Sequence, residues 1–226
     1  MQHFILLFLV VVLCTAAAAH DLPDGVPHHH PEDEVGPTSV FAHFPTSPDM
    51  YCDEVAAIIR AGVIDRFGAE EFAAVVLSHE LHQHIGVYTV VGAKMGVRAR
   101  ELLDAPRRAV RVEVETQPDT PFACATDGLQ AALGSTYGQD LIRIQPVLKP
   151  RLTVVFSYGG KRLRMGLKES FRHEIARIIH DNSEKHGYLS PAYFEAIRGA
   201  SYRIWADWDR KKIFDETWID APVTER

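Results

Sequence analysis

The amino-acid sequence predicts an α+β domain in which helices pack on one face of a sheet of about four strands. Three observations support this class. Apolar residues recur with a helical period between residues 53 and 103, and the period changes to two in "AVRVEVET", residues 109–116. Gly159-Gly160 then joins two further strand-like segments, which is typical of a β-hairpin. A chain of 226 residues is long enough to bury one good core.

The first half of the domain is predicted to be helical. Apolar periodicity predicts helices over residues 53–64, 69–81 and 87–103. Asp53 is placed to cap the first of them. Gly92 and Gly96 lie four residues apart on one face of the third helix, although glycine weakens a helix by roughly 1 kcal/mol relative to alanine. Close approach of another backbone or of a ligand would explain both glycines.

Strands and helices alternate in the second half. After the segment of residues 109–116, Thr120 and Pro121 supply a cap and a first-turn proline for a helix that ends at Leu133, before Gly134. Strands are predicted over residues 141–145, 151–158 and 161–167, and helices over residues 170–185 and 191–202. The order of elements is therefore mixed, as an α+β domain requires.

The first 48 residues are predicted to lie outside this domain. Residues 4–13 are unbroken apolar and an alanine run follows, which predicts a signal peptide over residues 1–19 and a periplasmic or secreted protein. The apolar run is shorter than the about 20 residues that a membrane span needs. Residues 20–48 contain "PHHHPEDE" and are predicted to form a flexible arm, either a solvated tail or a collector of metal ions. Residues 49–226 then form a single domain.

The segment "LSHELHQHIG" places three histidines close together. The metalloprotease motif H-E-x-x-H is absent, because Gln83 stands where its second histidine would be. His82 and His84 point to opposite sides of a regular helix but to one side of extended backbone. A helix that ends near Leu81 would therefore let both imidazoles bind one ion. His79 and His82 could instead share a helical face, and a purely structural pair of histidines is the plainer alternative.

Cys124 is a third candidate ligand. It lies in the first turns of the helix predicted after Pro121, where the helix dipole favours a thiolate. Asp127 lies on the same helical face and could be a ligand, a support for a ligand or a proton carrier. Two imidazoles and one thiolate with an open position suit catalytic zinc, and they also suit copper. Alternatively, Cys124 is a buried apolar residue or forms a disulfide with Cys52.

Two blocks of the sequence resemble the signatures of the family of proteins like FmdE, the E-type component of formylmethanofuran dehydrogenase. The block "HQHIGVYTVVGAKMGVRARELL" (residues 82–103) is similar to its H-G-H-x-C-P-G pattern and the small-residue helix that follows. The block "TPFACATDGLQAALGSTYGQDLI" (residues 120–142) is similar to its second signature, a cysteine followed by Asp and Gln on a helix and then a Gly-Cys-Thr-x-Gly turn. The resemblance covers about residues 53–167.

The resemblance implies an α+β fold with a mixed sheet and a metal or active-site pocket where the two blocks meet. The residues that match the family pattern are His82, His84, Cys124 and Asp127. The chain departs from the pattern at two cysteine positions, which are Gly86 and Ser135 here. These departures disfavour a thiol-rich redox site and favour one dominated by histidine.

The main hypothesis is therefore an exported metal-binding domain in which His82, His84 and Cys124 bind zinc or another divalent transition metal, copper included. One alternative is a metal-dependent hydrolase or lyase that acts on a small molecule, with Asp127 as the base and Lys94 as an anion contact. No Ser-His-Asp order, phosphate-binding loop or haem-attachment motif points to another chemistry.

A further alternative is an interaction module locked by a disulfide between Cys52 and Cys124. The expected partners are a metal ion and, for an enzyme, a small-molecule substrate, while a homodimer is left open. With 24 basic and 30 acidic residues the net charge is −6, which disfavours nucleic acid as a partner. After cleavage of the leader, the chain is expected not to be an integral membrane protein.

Overall fold

The computed structural model describes residues 40–117, 121–147 and 152–220, and it confirms the α+β class. The chain divides into two units, residues 1–42 and 43–226, and every element below belongs to the second. The predicted leader and most of the predicted arm lie outside the described residues. The helices are α1 (Asp53–Arg60), α2 (Val63–Phe67), α3 (Ala69–His82), α4 (Val87–Leu103), α5 (Ala125–Leu133), α6 (Glu169–His186) and α7 (Pro191–Asp207).

The strands form one mixed sheet. They are β1 (Arg111–Thr116), β2 (Ile142–Pro146), β3 (Leu152–Tyr158), β4 (Lys161–Leu167) and β5 (Phe214–Ile219). Their order across the sheet is β2-β1-β3-β4-β5. The pair β1–β2 is parallel, and the three other pairs are antiparallel. Short 3-10 helices occur at Pro48–Met50, Phe122–Cys124 and Tyr137–Gln139.

One face of the sheet belongs to the hydrophobic core. Alternate residues of the three inner strands point into it, and they are Val112 and Val114, Val154 and Phe156, and Leu163 and Met165. The opposite face carries charged pairs between strands. Glu113 lies 3.5 Å from Arg162, and Glu115 lies 2.5 Å from Arg164. The alternation in "AVRVEVET" therefore has the physical origin that the sequence indicated.

Helix α4 is the central helix and contacts α3, α5, α7 and β4. Its approach to α5 depends on glycine. A β-carbon on Gly92 would lie 2.0 Å from the Ala125 carbonyl oxygen, and one on Gly128 would lie 2.1 Å from the Thr89 carbonyl oxygen. Of the two predicted uses of the α4 glycines, close approach of another backbone is the one found at Gly92. This contact brings the N-terminal turns of α4 and α5 together.

Three elements differ from the sequence-based prediction. Residues 53–64 form two helices, because Gly62 adopts a left-handed conformation (φ 79°) between α1 and α2. The last helix extends beyond Tyr202, to Asp207. Strand β5 was not predicted; it lies at the edge of the sheet and most of its residues stay exposed, so it lacks the apolar alternation that marks an inner strand. Thr120, the predicted cap, is outside the described residues.

None of the helices in the described ranges combines the length and hydrophobicity that crossing a bilayer requires.

Candidate functional site

The two histidines of the H-x-H element meet at the end of α3. The helix ends at His82, and Gln83 turns the chain with a left-handed backbone (φ 61°). The side-chain amide of Gln83 donates a hydrogen bond of 2.6 Å to the Glu80 carbonyl oxygen. As a result, the ring centroids of His82 and His84 are only 4.3 Å apart. The structure therefore brings these two side chains together, as their spacing at a helix end predicts.

The ring of His82 is held on both sides. Its Nδ1 lies 3.1 Å from the His84 carbonyl oxygen, so Nδ1 carries the proton in this contact. Its Nε2 lies 3.7 Å from Oδ2 of Asp127, too far for a direct hydrogen bond. The neutral ring therefore presents the lone pair of Nε2 toward the Asp127 carboxylate. This is the tautomer arrangement seen when a histidine that binds metal donates its other N–H to a carbonyl group.

Cys124 lines the same cavity as the two histidines. The cavity has a volume of about 210 Å³ and lies between α4, α6, α7 and the start of α5. The side chains that line it are His82, His84, Val87, Tyr88, Pro121, Cys124, Ile179, Tyr188, Leu189, Tyr193, Phe194 and Ile197, together with the backbone of Gly86. One end of the cavity thus carries nitrogen and sulfur donors, and the remaining walls are mostly apolar and aromatic.

The aromatic walls come from parts of the chain that the sequence did not connect with the site. The His84 ring contacts Phe194 of α7 edge to face, with centroids 5.8 Å apart. Tyr193 contacts both Phe194 and Tyr188 at 5.7 and 5.4 Å. These residues are about 100 positions from the histidines. No local pattern in the sequence marks them, because only the packing of α7 beside α4 places them there.

The environment acts in opposite directions on the two kinds of donor. Burial, and then the neighbouring His82, lowers the pKa of His84 below its ordinary value of 6.5, which favours the neutral imidazole. Burial, and then the charge of Asp127, raises the pKa of the Cys124 thiol above 9.0. The expectation that the helix dipole makes Cys124 a thiolate is therefore wrong for the metal-free chain, because desolvation and a nearby carboxylate outweigh the dipole.

Gly86 leaves a small niche beside the two rings. A β-carbon at this position would lie 3.3 Å from Thr89 Oγ1, 3.7 Å from His84 Nε2 and 3.9 Å from His82 Cε1. The family pattern has a cysteine where this chain has Gly86. The glycine gives the niche its space, and Thr89 was not identified from the sequence.

Lys94 is not among the residues that line the cavity. It lies inside the helical layer with 0% of its surface exposed, and its ammonium group donates a 2.5 Å hydrogen bond to Glu71. The same nitrogen lies 4.3 Å from the ring centroid of Phe67. Glu71 also accepts a 3.0 Å hydrogen bond from Arg210. This buried ionic cluster holds α3, α4 and the segment after α7 together, so the structure does not bring Lys94 to the candidate site.

Cys52 and Cys124 are both free thiols. Cys52 is exposed at the start of α1, where its sulfur lies 3.9 Å from the hydroxyl oxygen of Tyr202. Cys124 lies half-buried at the start of α5, at the cavity. The structure therefore contradicts the alternative of a module locked by a Cys52–Cys124 disulfide, because the two sulfurs have different neighbours.

The donors share a cavity without forming a finished metal site. Among the residues described, no three His, Cys, Asp or Glu side chains are arranged to hold one ion. The donor types nevertheless suit a borderline divalent ion, since two imidazoles and a sulfur are ligands that zinc and copper accept. Rotation of His84 and Cys124 about their side-chain bonds would be needed to complete the set.

Comparison with known proteins places the chain in a family. A search of curated proteins gives no match. Among solved structures, the chain is similar to a tungsten formylmethanofuran dehydrogenase FmdE-like protein from Syntrophus aciditrophicus, with 15% identity, a TM-score of 0.40, and coverage of 67% of this chain and 72% of that one. The sequence model described as "FmdE, Molybdenum formylmethanofuran dehydrogenase operon" matches residues 81–214, more than half of the chain. The chain therefore belongs to the FmdE family.

Proposed function

We propose that this chain is a metal-binding member of the FmdE family that holds one divalent transition metal ion at the His-Cys end of the cavity. Zinc is the first candidate and copper the second. His82, His84 and Cys124 are the proposed ligands. The observation that carries the proposal is that these three side chains, from two distant segments, line a single cavity.

The surroundings of His82 support the proposal. Its Nδ1 proton is directed to the His84 carbonyl oxygen at 3.1 Å, which leaves Nε2 available to an ion. Asp127 Oδ2, at 3.7 Å from that nitrogen, is placed to complete or support the ligand set. Asp127 would also offset part of the positive charge that an ion brings into a half-buried site.

The protonation states set a direction for binding. A neutral His84 is ready to bind an ion, and its lowered pKa extends that state to lower pH. Cys124 must lose a proton when an ion binds, since a thiolate is the form that binds metal. We therefore expect binding to release a proton and to strengthen as the pH rises.

Elemental analysis of the untagged protein tests the proposal. We expect about one zinc ion per chain after purification and dialysis, and loss of that ion in His84→Ala. The arm carries His28, His29 and His30, which can bind metal by themselves, so a variant with all three changed to Gln is the control and must keep the ion. Absence of metal from the wild type, or its loss only when the arm is changed, would contradict the proposal.

A second candidate is a metal-dependent hydrolase or lyase that uses the same site. The observation in its favour is a cavity of about 210 Å³ directly beside the donor groups, with Asp127 at its His82 end. The ion would supply Lewis-acid chemistry, and Asp127 would accept or deliver a proton. Lys94 has no part in this version. Turnover that a chelator does not change would count against it.

Export of the chain belongs to the same proposal and rests on the apolar segment of residues 4–13. Fractionation of expressing cells would test it, since a mature chain found only in the cytosol with residues 1–19 intact is the contrary result.

A further inference from the structure

The niche at Gly86 contains a buried hydroxyl group without a partner. Thr89 is 1% exposed, and its Oγ1 has no hydrogen-bond partner among the described residues. The hydroxyl lies 3.3 Å from where a β-carbon on Gly86 would be, on the same side as the rings of His82 and His84. A buried hydroxyl is costly to leave unpaired, so this one indicates that a polar ligand atom belongs in the niche.

The first turn of α4 points to the charge of that atom. This helix is 17 residues long, and its N-cap residue, Gly86, offers no side chain to cap the first amides. The first N–H groups of a helix have no carbonyl partner within it, and they form the positive end of the helix dipole. Such a terminus favours an oxyanion. Gly86, Val87 and Tyr88 line the cavity, so this terminus faces it.

Charge around the cavity agrees with an anionic head group. None of the described residues that line it is acidic. The nearest carboxylate that the geometry identifies is Asp127, which lies beside His82 Nε2 at 3.7 Å. Two imidazoles therefore stand between that carboxylate and the niche, and either imidazole can donate a hydrogen bond to an anion when protonated.

The remaining walls define the body of the ligand. Tyr88, Tyr193, Phe194 and Ile197 make an apolar and largely aromatic surface that suits a flat hydrocarbon group. The volume of about 210 Å³ lies below the about 300–1,000 Å³ that is usual for sites of drug-sized ligands. The ligand is therefore small, of about one ring.

We propose that the cavity binds a small carboxylate with a flat apolar body. The carboxylate accepts hydrogen bonds from the Thr89 hydroxyl and from the first amides of α4, and the body lies against Tyr88 and Tyr193. This inference rests on the proposed function in taking the cavity as the functional site, but the contacts it names are made by the chain itself.

Calorimetric titration with benzoate and with benzyl alcohol, its neutral counterpart, tests the inference on the full chain. We expect benzoate to bind at least about tenfold more tightly, as one or two hydrogen bonds to a charged group imply. Thr89→Val removes the hydroxyl at nearly constant shape and should weaken benzoate about tenfold. Gly86→Ala fills the niche and should abolish the preference for benzoate; its backbone (φ −112°, ψ 150°) is one that alanine adopts readily.

Thr116→Val is the matched control, because Thr116 is also fully buried and its hydroxyl also lacks a partner among the described residues, but it lies on β1. This variant should bind benzoate as the wild type does. Equal affinity for benzoate and benzyl alcohol, or wild-type benzoate binding in both cavity variants, would overturn the inference. Metal content is measured in the same samples: a benzoate preference in a chain that holds no metal contradicts only the metal proposal, and bound metal without that preference contradicts only the carboxylate.

Discussion

His82 Nε2 lies 3.7 Å from Asp127 Oδ2, and this contact joins the end of α3 to the first turn of α5. The two residues are far apart in sequence, so the contact exists only because α3 and α5 both pack against α4. The close approach of α4 and α5 at Gly92 and Gly128 is what makes it possible. The packing of small residues and the chemistry of the cavity are therefore parts of one arrangement.

Asp127→Asn should weaken the binding of zinc by about 10- to 100-fold, because groups that orient or support a histidine ligand contribute about this much to metal affinity. Competition with a coloured chelator measures the change. Glu80→Gln is the control, since Glu80 is exposed and lies 3.6 Å from His79, outside the cavity. Equal effects of the two substitutions would show that Asp127 acts only through overall charge.

Cys124 should react slowly with iodoacetamide in the metal-free chain. Burial and Asp127 raise its pKa above 9.0, so the reactive thiolate is scarce at neutral pH and increases only as the pH passes that value. Asp127→Asn removes one of the two causes and should move the rate profile to lower pH. The measurement uses a Cys52→Ser background so that one thiol reports. A profile centred well below 9.0 in the parent chain would contradict this account of the site.

Gly128→Ala should destabilise the fold by about 1–3 kcal/mol or more, because the added carbon would lie 2.1 Å from a backbone oxygen of Thr89 and backbone cannot move aside cheaply. Gly199→Ala is a matched helical control, in which the added carbon meets only the end of Arg203 at 3.7 Å. This change should stabilise the chain by up to about 1 kcal/mol. Urea unfolding measures both, and equal effects would be the contrary result.

Glu71→Ala should cost about 3–5 kcal/mol of folding free energy, because it leaves the buried Lys94 without its partner and removes a partner of Arg210. Lys94→Met should cost much less, since Glu71 then keeps the 3.0 Å hydrogen bond from Arg210 and the new side chain is apolar. Thermal unfolding compares them. If Lys94→Met unfolds the chain as readily as Glu71→Ala, the ranking of the two contacts is wrong.

Periodicity in the sequence was sufficient to predict most of the fold. Helix α4 and strand β4 have the bounds that their patterns predict, since each is flanked by glycine or a turn and carries one clear apolar period. Strand β5 was missed because an edge strand is exposed on most of its length and needs no apolar alternation. The break at Gly62 was missed because the apolar pattern continues across it.

The candidate site was predictable only where neighbours in sequence are neighbours in space. The H-x-H spacing at a helix end was enough to bring His82 and His84 together. Nothing local indicated that Phe194 would contact His84, or that Thr89 would be buried without a partner among the described residues. The acidity expected for Cys124 was wrong because the helix dipole was visible in the sequence, while the depth of burial was not.

The ligand set is tested most directly by X-ray absorption spectroscopy of the zinc-loaded chain in which His28, His29 and His30 are changed to Gln. The account predicts one sulfur at about 2.3 Å and at least two nitrogens at about 2.0–2.1 Å from the ion. The sulfur signal should disappear in Cys124→Ser, and the imidazole signal should fall in His84→Ala. A spectrum with only nitrogen and oxygen neighbours, unchanged in both variants, would contradict the central claim that His82, His84 and Cys124 bind one ion.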